Sequence, residues 1–174
     1  ESIRETWVKE WMPNLKKDET PINPYRVVWE LNRALNPAQS IVTHDSGSPR
    51  DQMMPFYRSA GPRTYLGWGK SHALGTGLGL AIGAKLAAPQ REVIATVGDG
   101  SYLFANPIVC QQIAAAEKIP ILIVIFNNAA WGAVVRATRA MYPDGHAVRA
   151  NPVSVSKAGL SAVIRSSGER TKMI

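Results

Sequence analysis

Two stretches constrain this chain more than any others: "EVIATV" at 92–97 and "ILIVIF" at 121–126. Neither alternates apolar with polar residues, so each reads as a strand covered on both faces. Between them lies "NPIVCQQIAAAEKI" (106–119), a helical pattern with Pro107 in its first turn. A strand, a helix of this length and another strand make a crossover of the kind that joins parallel strands. "SIVTHD" (40–45) is a third, shorter strand, followed by the turn-forming "SGSP". The helix before it, "NPYRVVWELNRALNP" (23–37), has Asn23 as cap and Val27, Val28, Leu31, Ala34 and Leu35 on one face. "AAWGAVVRATRAM" (129–141) reads as the helix after the last strand. The fold class is α/β: a doubly wound parallel sheet with helices on both faces.

A fourth long segment, "SHALGTGLGLAIGAKLAAP" (71–89), is apolar and holds four glycines. Each costs an isolated helix about 1 kcal/mol relative to alanine. The pattern predicts a helix that packs closely against a strand, another helix or a ligand. Residues 1–22, with Trp7 and Trp11, read as a linker with one short helix, and 23–174 as the domain. After about residue 151 the pattern weakens, with room for one helix and a short extended end.

The 174 residues suffice for one domain with a core. A formal charge of +7 admits anionic partners, but the densest basic run is "LKK" at 15–17. That excludes a nucleic-acid-binding stripe and leaves a solvated surface. The single cysteine, Cys110, lies in an amphipathic pattern and reads as a structural thiol. No signal peptide opens the chain and no apolar run reaches ~18 residues. The expectation is a cytoplasmic protein without a membrane span. With Glu1 in place of Met, a piece of a longer polypeptide is also expected.

The chemistry is concentrated where the two long strands stop. "GDG" (98–100) ends one and "NN" (127–128) ends the next, with twenty-six residues between them. In open α/β sheets ligands bind at the carboxyl ends of strands. If the strands are neighbours, Asp99 and Asn128 converge. A carboxylate oxygen and an amide oxygen are hard donors that suit Mg²⁺ or Ca²⁺ rather than zinc. Mg²⁺ keeps few protein ligands and takes phosphate oxygens as well. The glycines let backbone N–H groups approach an anion, and the helix that follows offers its positive end. Magnesium with a diphosphate satisfies both features.

"GDG", twenty-six residues and "NN" resemble the cofactor motif of thiamine-diphosphate enzymes. "INPYRVVWELNRAL", "SIVTHDSG", "PRTYLGWGKSHALGTGLGLAIGAKLAAP" and "VIATVGDGSYLFANP" are similar to the diphosphate-binding (PP) domain of the acetolactate synthase and benzoylformate decarboxylase group, over residues 22–150. The resemblance implies the thiamine-diphosphate-binding fold, with thiamine diphosphate and Mg²⁺ as cofactors. It implies metal binding by the side chains of Asp99 and Asn128 and the carbonyl of Ala130, and diphosphate contacts from Gly100 and Ser101. It places Leu74 beneath the bent cofactor, a role that competes with plain helix core. Backbone groups from His72 through Ala73 to Leu74 would hold the pyrimidine. The 43–48 loop would lie near the diphosphate or the substrate. His44 and His72 are candidate substrate contacts, and Trp131 a wall of the pocket or core.

In the family a glutamate on a second, pyrimidine-binding (PYR) domain activates the cofactor. None of the eight glutamates here matches that motif. No catalytic residue is therefore assigned to this chain. The implied partner is a PYR domain from the same polypeptide or a second subunit, in a homo-oligomer, dimer or tetramer. The implied function is the cofactor-binding domain of an acetolactate synthase-like decarboxylase or carboligase acting on a small 2-oxo acid, inactive alone. The alternatives are a non-catalytic module with this fold and a nucleotide-binding α/β domain. The likeness fades after Asn151, so the domain is expected to be truncated or incomplete there.

Overall fold

The computed structural model describes residues 2–45, 47–69, 71–150 and 159–165. The element order is α1 (Ile3–Leu15), α2 (Pro24–Ala34), β1 (Ser40–Asp45), α3 (Gly47–Phe56), β2 (Tyr65–Leu66), α4 (Gly77–Ala87), β3 (Glu92–Gly98), α5 (Asp99–Phe104), α6 (Pro107–Ala116), β4 (Leu122–Asn127), α7 (Gly132–Met141), α8 (His146–Ala150) and β5 (Gly159–Arg165). One sheet runs in the order β2-β1-β3-β4-β5. Its first four strands are parallel, and β5 joins β4 antiparallel. Gly159–Arg165 thus contributes an extended strand to the sheet edge, and the helix expected in this part lies outside the described residues. The rest of 151–174 lies outside the described residues.

Both faces of the sheet are covered, which is why its central strands carry continuous apolar runs. On one face Ile41, Val93, Ala95, Val97, Ile123 and Ile125 pack with Leu78, Ala81 and Ile82 of α4 and Ala114 of α6. On the other, Val42, Ile94, Val124 and Phe126 pack with Val27, Val28 and Leu31 of α2 and Met53 and Phe56 of α3. Ala34, expected on the buried face of α2, is exposed at that helix's last residue. Asn23 caps α2 as expected, its Oδ1 accepting from the Tyr25 N–H at 3.0 Å. The 1–22 stretch holds α1, thirteen residues long, which docks on the second core through buried Leu15 and through Trp11 against Tyr25 and Phe56.

Helix α4 begins at Gly77, six residues after the start expected from the pattern. His72 (φ 51°) and Gly75 (φ +88°) sit in the left-handed region, which a helix cannot contain. A Cβ on Gly75 would also lie 2.8 Å from the Phe104 carbonyl carbon. Gly77 then brings the helix start against β1. Its N–H donates to Asp45 Oδ2 at 2.8 Å, and Thr43 Oγ1 donates to its carbonyl at 3.2 Å. A Cβ there would lie 2.6 Å from Asp45 Cβ and 3.0 Å from Val97 Cγ1. Gly79 and Gly83 have open space where a Cβ would go, so close packing within this chain explains only part of the glycine content. No helix among the described residues is long and apolar enough to cross a membrane.

Candidate functional site

Strands β3 and β4 are direct neighbours, paired from Ile94 with Leu122 to Gly98 with Phe126. Their carboxyl ends therefore deliver the 98–101 and 128–132 segments to one place. A cleft of about 270 Å³ opens there. Gly98, Asp99, Gly100 and Ser101 line it from β3 and α5, and Asn128, Ala130 and Trp131 line it from the turn after β4. Leu74 reaches it from the loop before α4. The far wall is made by Pro49 and Gln52 of α3 and by Ala133, Val134 and Arg136 of α7.

The backbone of the two segments is held by short local bonds. Asp99 Oδ1 accepts from the N–H of Gly100 at 2.9 Å. The two asparagines each brace the turn, Asn127 Oδ1 accepting from Ala129 N–H at 2.8 Å and Asn128 Oδ1 from Ala130 N–H at 3.1 Å. Ala129 between them is left-handed at φ 52°. These bonds occupy one acceptor position on Asp99 Oδ1 and one on Asn128 Oδ1, leaving further lone pairs on both groups. Trp131 lies close enough to the first segment that a Cβ on Gly100 would be 2.9 Å from its Cδ1. Its ring also packs on Phe104 at 5.6 Å between centroids.

The polar atoms without a partner are informative. Ser101 Oγ and Gln52 Oε1 are buried, have no hydrogen-bond partner among the described residues, and belong to residues lining the cleft. Buried polar atoms are ordinarily bonded. A hydroxyl and an amide left open at a cleft edge suit an oxygen-rich ligand. The donor set fits a hard divalent cation: one carboxylate, one amide oxygen and one peptide carbonyl. Among the described residues there is no group of three or more His, Cys, Asp or Glu, so nothing there suits a softer metal in its place.

Asp99, Gly100, Ser101, Asn128, Ala130 and Leu74 thus meet in one cleft, while His72, Ala73 and His44 do not line it. Leu74 is 45% exposed and precedes α4, which removes the helix-core alternative for it. His72 and Ala73 are exposed, and His72 packs edge-on against Trp68. His44 is buried, pointing with Val42 toward the α3 side of the sheet, where it stacks on Tyr65 at 5.1 Å. Strand alternation decides this, since its neighbours Thr43 and Asp45 face α4. Burial and the Arg50 guanidinium push the His44 pKa below its ordinary value, against a weaker pull from Asp45. Burial pushes Tyr57, two rings away, up to about 12. Cys110 is half-buried with a raised pKa, an inert thiol beside the Ala105 carbonyl.

Gln52, Phe104 and Arg136 were not singled out by the sequence. Gln52 gave no signal, because "SGSP" masks the start of α3. Arg136 could have been found from its i, i+4 relation to Gly132 on the helix after "NN".

Comparison with known proteins agrees with this geometry. The family described as "Thiamine pyrophosphate enzyme, C-terminal TPP binding domain" matches residues 45–170. A probable acetolactate synthase large subunit of Methanocaldococcus jannaschii is 34% identical over 145 residues, 75% of this chain and 24% of that protein. A 2-hydroxyacyl-CoA lyase 2 of Xenopus laevis is 36% identical over 118 residues, 66% of this chain and 18% of that protein. Among solved structures, the thiamine diphosphate-dependent 4-hydroxybenzoylformate decarboxylase of Rhodococcus jostii RHA1 matches with a TM-score of 0.66 and 28% identity, over 74% of this chain and 24% of that one. The chain spans about a quarter of the length of these relatives or less. With a parallel α/β sheet, a cleft built on "GDG" and "NN", and a family match over most of its length, the chain belongs to the C-terminal thiamine pyrophosphate-binding domains of thiamine pyrophosphate enzymes.

Proposed function

We propose that this domain holds the Mg²⁺ and the diphosphate of thiamine diphosphate for a 2-oxo acid decarboxylase or carboligase of the acetolactate synthase type. The observation that carries the reading is the meeting of Asp99, Asn128 and Ala130 with Gly100 and Ser101 in one cleft. Asp99, Asn128 and the Ala130 carbonyl hold the metal. The Gly100 N–H and Ser101 hydroxyl bind phosphate oxygens, which gives the buried Ser101 Oγ its missing partner. Leu74 supports the apolar rings of the cofactor from below. Bound there, the cofactor supplies a nucleophilic carbon and an electron sink for loss of CO₂. The chain's own part is to bind, orient and exclude water.

The activating acid is assigned to a partner PYR domain, on the same polypeptide or a second subunit of a homo-oligomer. Two observations support a partner. No glutamate is among the described residues lining the cleft. Leu103, Phe104, Ile108, Val109 and Ile113 are exposed on α5 and α6 beside it, more apolar side chain than one segment of a lone domain ordinarily leaves in water. Each match covers about a quarter of the relative's length or less, which leaves room for such a domain. A cytoplasmic location belongs to the same proposal.

Calorimetric titration of the full enzyme with thiamine diphosphate, with and without Mg²⁺, tests the reading. Binding should require Mg²⁺ and vanish in Asp99→Ala. Equal affinity for NAD, or undiminished cofactor affinity in the variant, would overturn it.

A further inference from the structure

Strands β1 and β2 pair at Val42 with Tyr65 and at Thr43 with Leu66, and their ladder stops there. The next residues along the two strands are His44 and Gly67. At this level a side chain takes over from the ladder. A Cβ on Gly67 would lie 1.7 Å from His44 Nε2 and 2.3 Å from Cδ2 and Cε1, so the imidazole fills the space that a side chain at 67 would need. Tyr65 stacks on the same ring at 5.1 Å, and Trp68 tilts against it at 6.0 Å. The start of the loop between β2 and α4 thus rests on one buried side chain. The backbone of that side chain is itself fixed, since His44 pairs with Thr96 inside the sheet.

From this seat the loop is braced toward Leu74. The Trp68 carbonyl accepts from the Ser71 N–H at 3.0 Å and from the Ser71 hydroxyl at 2.7 Å. The His72 ring packs edge-on against Trp68 at 4.9 Å. Leu74, two residues on, lines the cleft. Beyond it the chain is held again, by Gly75 against Phe104 and by the Gly77 N–H on Asp45. Leu74 therefore stands between two supports, and loss of the first leaves it held from one side only. We infer that His44, outside the cleft, is a positioning residue for the cofactor: by filling the side-chain space at Gly67 it sets the β2–α4 loop and so the place of Leu74 in the cleft. This rests on the reading that Leu74 supports the apolar rings of thiamine diphosphate, and deepens it by naming what holds Leu74.

The test uses two ligands of the full enzyme, each titrated calorimetrically in the presence of Mg²⁺. Thiamine diphosphate has the rings that Leu74 meets, and inorganic diphosphate has none. Leu74→Ala should raise the Kd for thiamine diphosphate about tenfold, the scale of one lost apolar side-chain contact. His44→Ala should raise it about threefold or more, while the Kd for inorganic diphosphate changes less than about twofold in both variants. Retained binding of inorganic diphosphate shows that each variant is folded. Gly67→Ala presses the same contact from the loop side and should give the same split, so it carries the test where His44→Ala does not fold. The double variant His44→Ala/Gly67→Ala, with a methyl group in place of the lost ring, should bind thiamine diphosphate more tightly than either single variant. In the cofactor-free enzyme, amide hydrogen exchange at 71–74 should quicken in His44→Ala while that of β3 and β4 stays unchanged. Unchanged thiamine diphosphate affinity in His44→Ala or Gly67→Ala beside a loss in Leu74→Ala would overturn the role of His44 alone. Equal losses for both ligands, a double variant no better than the worse single one, or unchanged exchange at 71–74 would overturn it as well. No effect of Leu74→Ala, or no binding of thiamine diphosphate by the wild type, would overturn the reading of Leu74 and this inference with it.

Discussion

Asp45 is the last residue of β1, and Asp99 follows the last residue of its neighbour β3. Asp45 is fully buried, with one oxygen bonded to the Gly77 N–H and its Cβ pressed against the start of α4. Asp99 is half-buried at the edge of the cleft, and the bond made by its carboxylate is to the N–H of the next residue. The same residue type near the carboxyl ends of adjacent strands, Asp99 lying two residues beyond the level at which Asp45 pairs with Val97, is thus spent on the fold in one case and left at the cleft in the other. What separates them is the element above: an eleven-residue helix seated through glycine over β1, and a six-residue helix with an open turn beside it over β3. Asp45 is held beneath the start of α4 and does not line the cleft, whereas Asp99 sits at its edge.

The largest effects should come from exchanging these roles. Asp99→Ala should weaken Mg²⁺-dependent cofactor binding on the order of 100-fold or more, while changing stability by less than about 0.5 kcal/mol. Asn128→Ala should act in the same direction, and the double variant should lose little more than either single one, because both groups serve one ion. Asp45→Ala should do the reverse, costing about 1–3 kcal/mol by leaving the Gly77 amide unbonded. Calorimetry and urea denaturation on the same preparations check both halves. Additive binding losses at Asp99 and Asn128 would mean that they serve different ligands.

Next in size is Gly77→Ala. Its Cβ would meet backbone-anchored atoms, Asp45 Cβ at 2.6 Å and Val97 Cγ1 at 3.0 Å. The expected cost is about 1–3 kcal/mol, read as a lower midpoint in urea. A variant as stable as the parent would show that α4 can lift away from the sheet, and that the contact with Asp45 does not fix it.

The class of this fold was legible because its long strands are buried on both faces. Continuous apolar runs at 92–97 and 121–126 require helices above and below, and that fixes the class. The convergence of Asp99 and Asn128 was legible for a related reason, since a single crossover makes their strands neighbours. What was lost depended on facing or on local backbone. His44 at a strand end reads as a ligand contact until its neighbours are known to face α4. Helix α3 is hidden by "SGSP" and by Pro55 inside it. The start of α4 shifts six residues because His72 and Gly75 adopt left-handed angles that an apolar, glycine-rich pattern does not announce. Strand β5 is an antiparallel addition whose register depends on β4 rather than on a pattern of its own.

His44 belongs to the closed side of the comparison, and it predicts a pH dependence. Its folded pKa lies below the unfolded value near 6.5, first through burial and then through Arg50. The folded state therefore favours the neutral ring. Its contribution to stability is complete above the unfolded pKa and is lost as pH falls from there through the folded value. Melting of the parent should drop on acidification below about pH 6.5, and His44→Phe should flatten that part of the curve. Gly67 sharpens the test, since a Cβ there would lie within the His44 ring. Gly67→Ala should destabilise the parent more than it destabilises a variant with a small residue at position 44.

The smallest expected effects concern the two glycines of α4 that the fold does not require. Gly79 and Gly83 are exposed, and nothing lies within 4 Å of where a Cβ would be. In a helix interior alanine is favoured over glycine by roughly 0.5–1 kcal/mol, because glycine loses more backbone freedom on folding. In this domain alone, Gly79→Ala and Gly83→Ala should each raise the melting temperature by a few degrees. That sets them against Gly77, two and six residues earlier on the same helix, where the same substitution destabilises. In the full enzyme the outcome depends on what covers this face of α4. If a partner domain packs closely there, the added methyl groups should weaken assembly while stabilising the isolated domain, and a shift of the dissociation curve in analytical ultracentrifugation would register it. If the gain in melting temperature carries over to the assembled enzyme undiminished, this face of α4 is open to solvent there too, and the partner docks through the exposed apolar side chains of α5 and α6 alone.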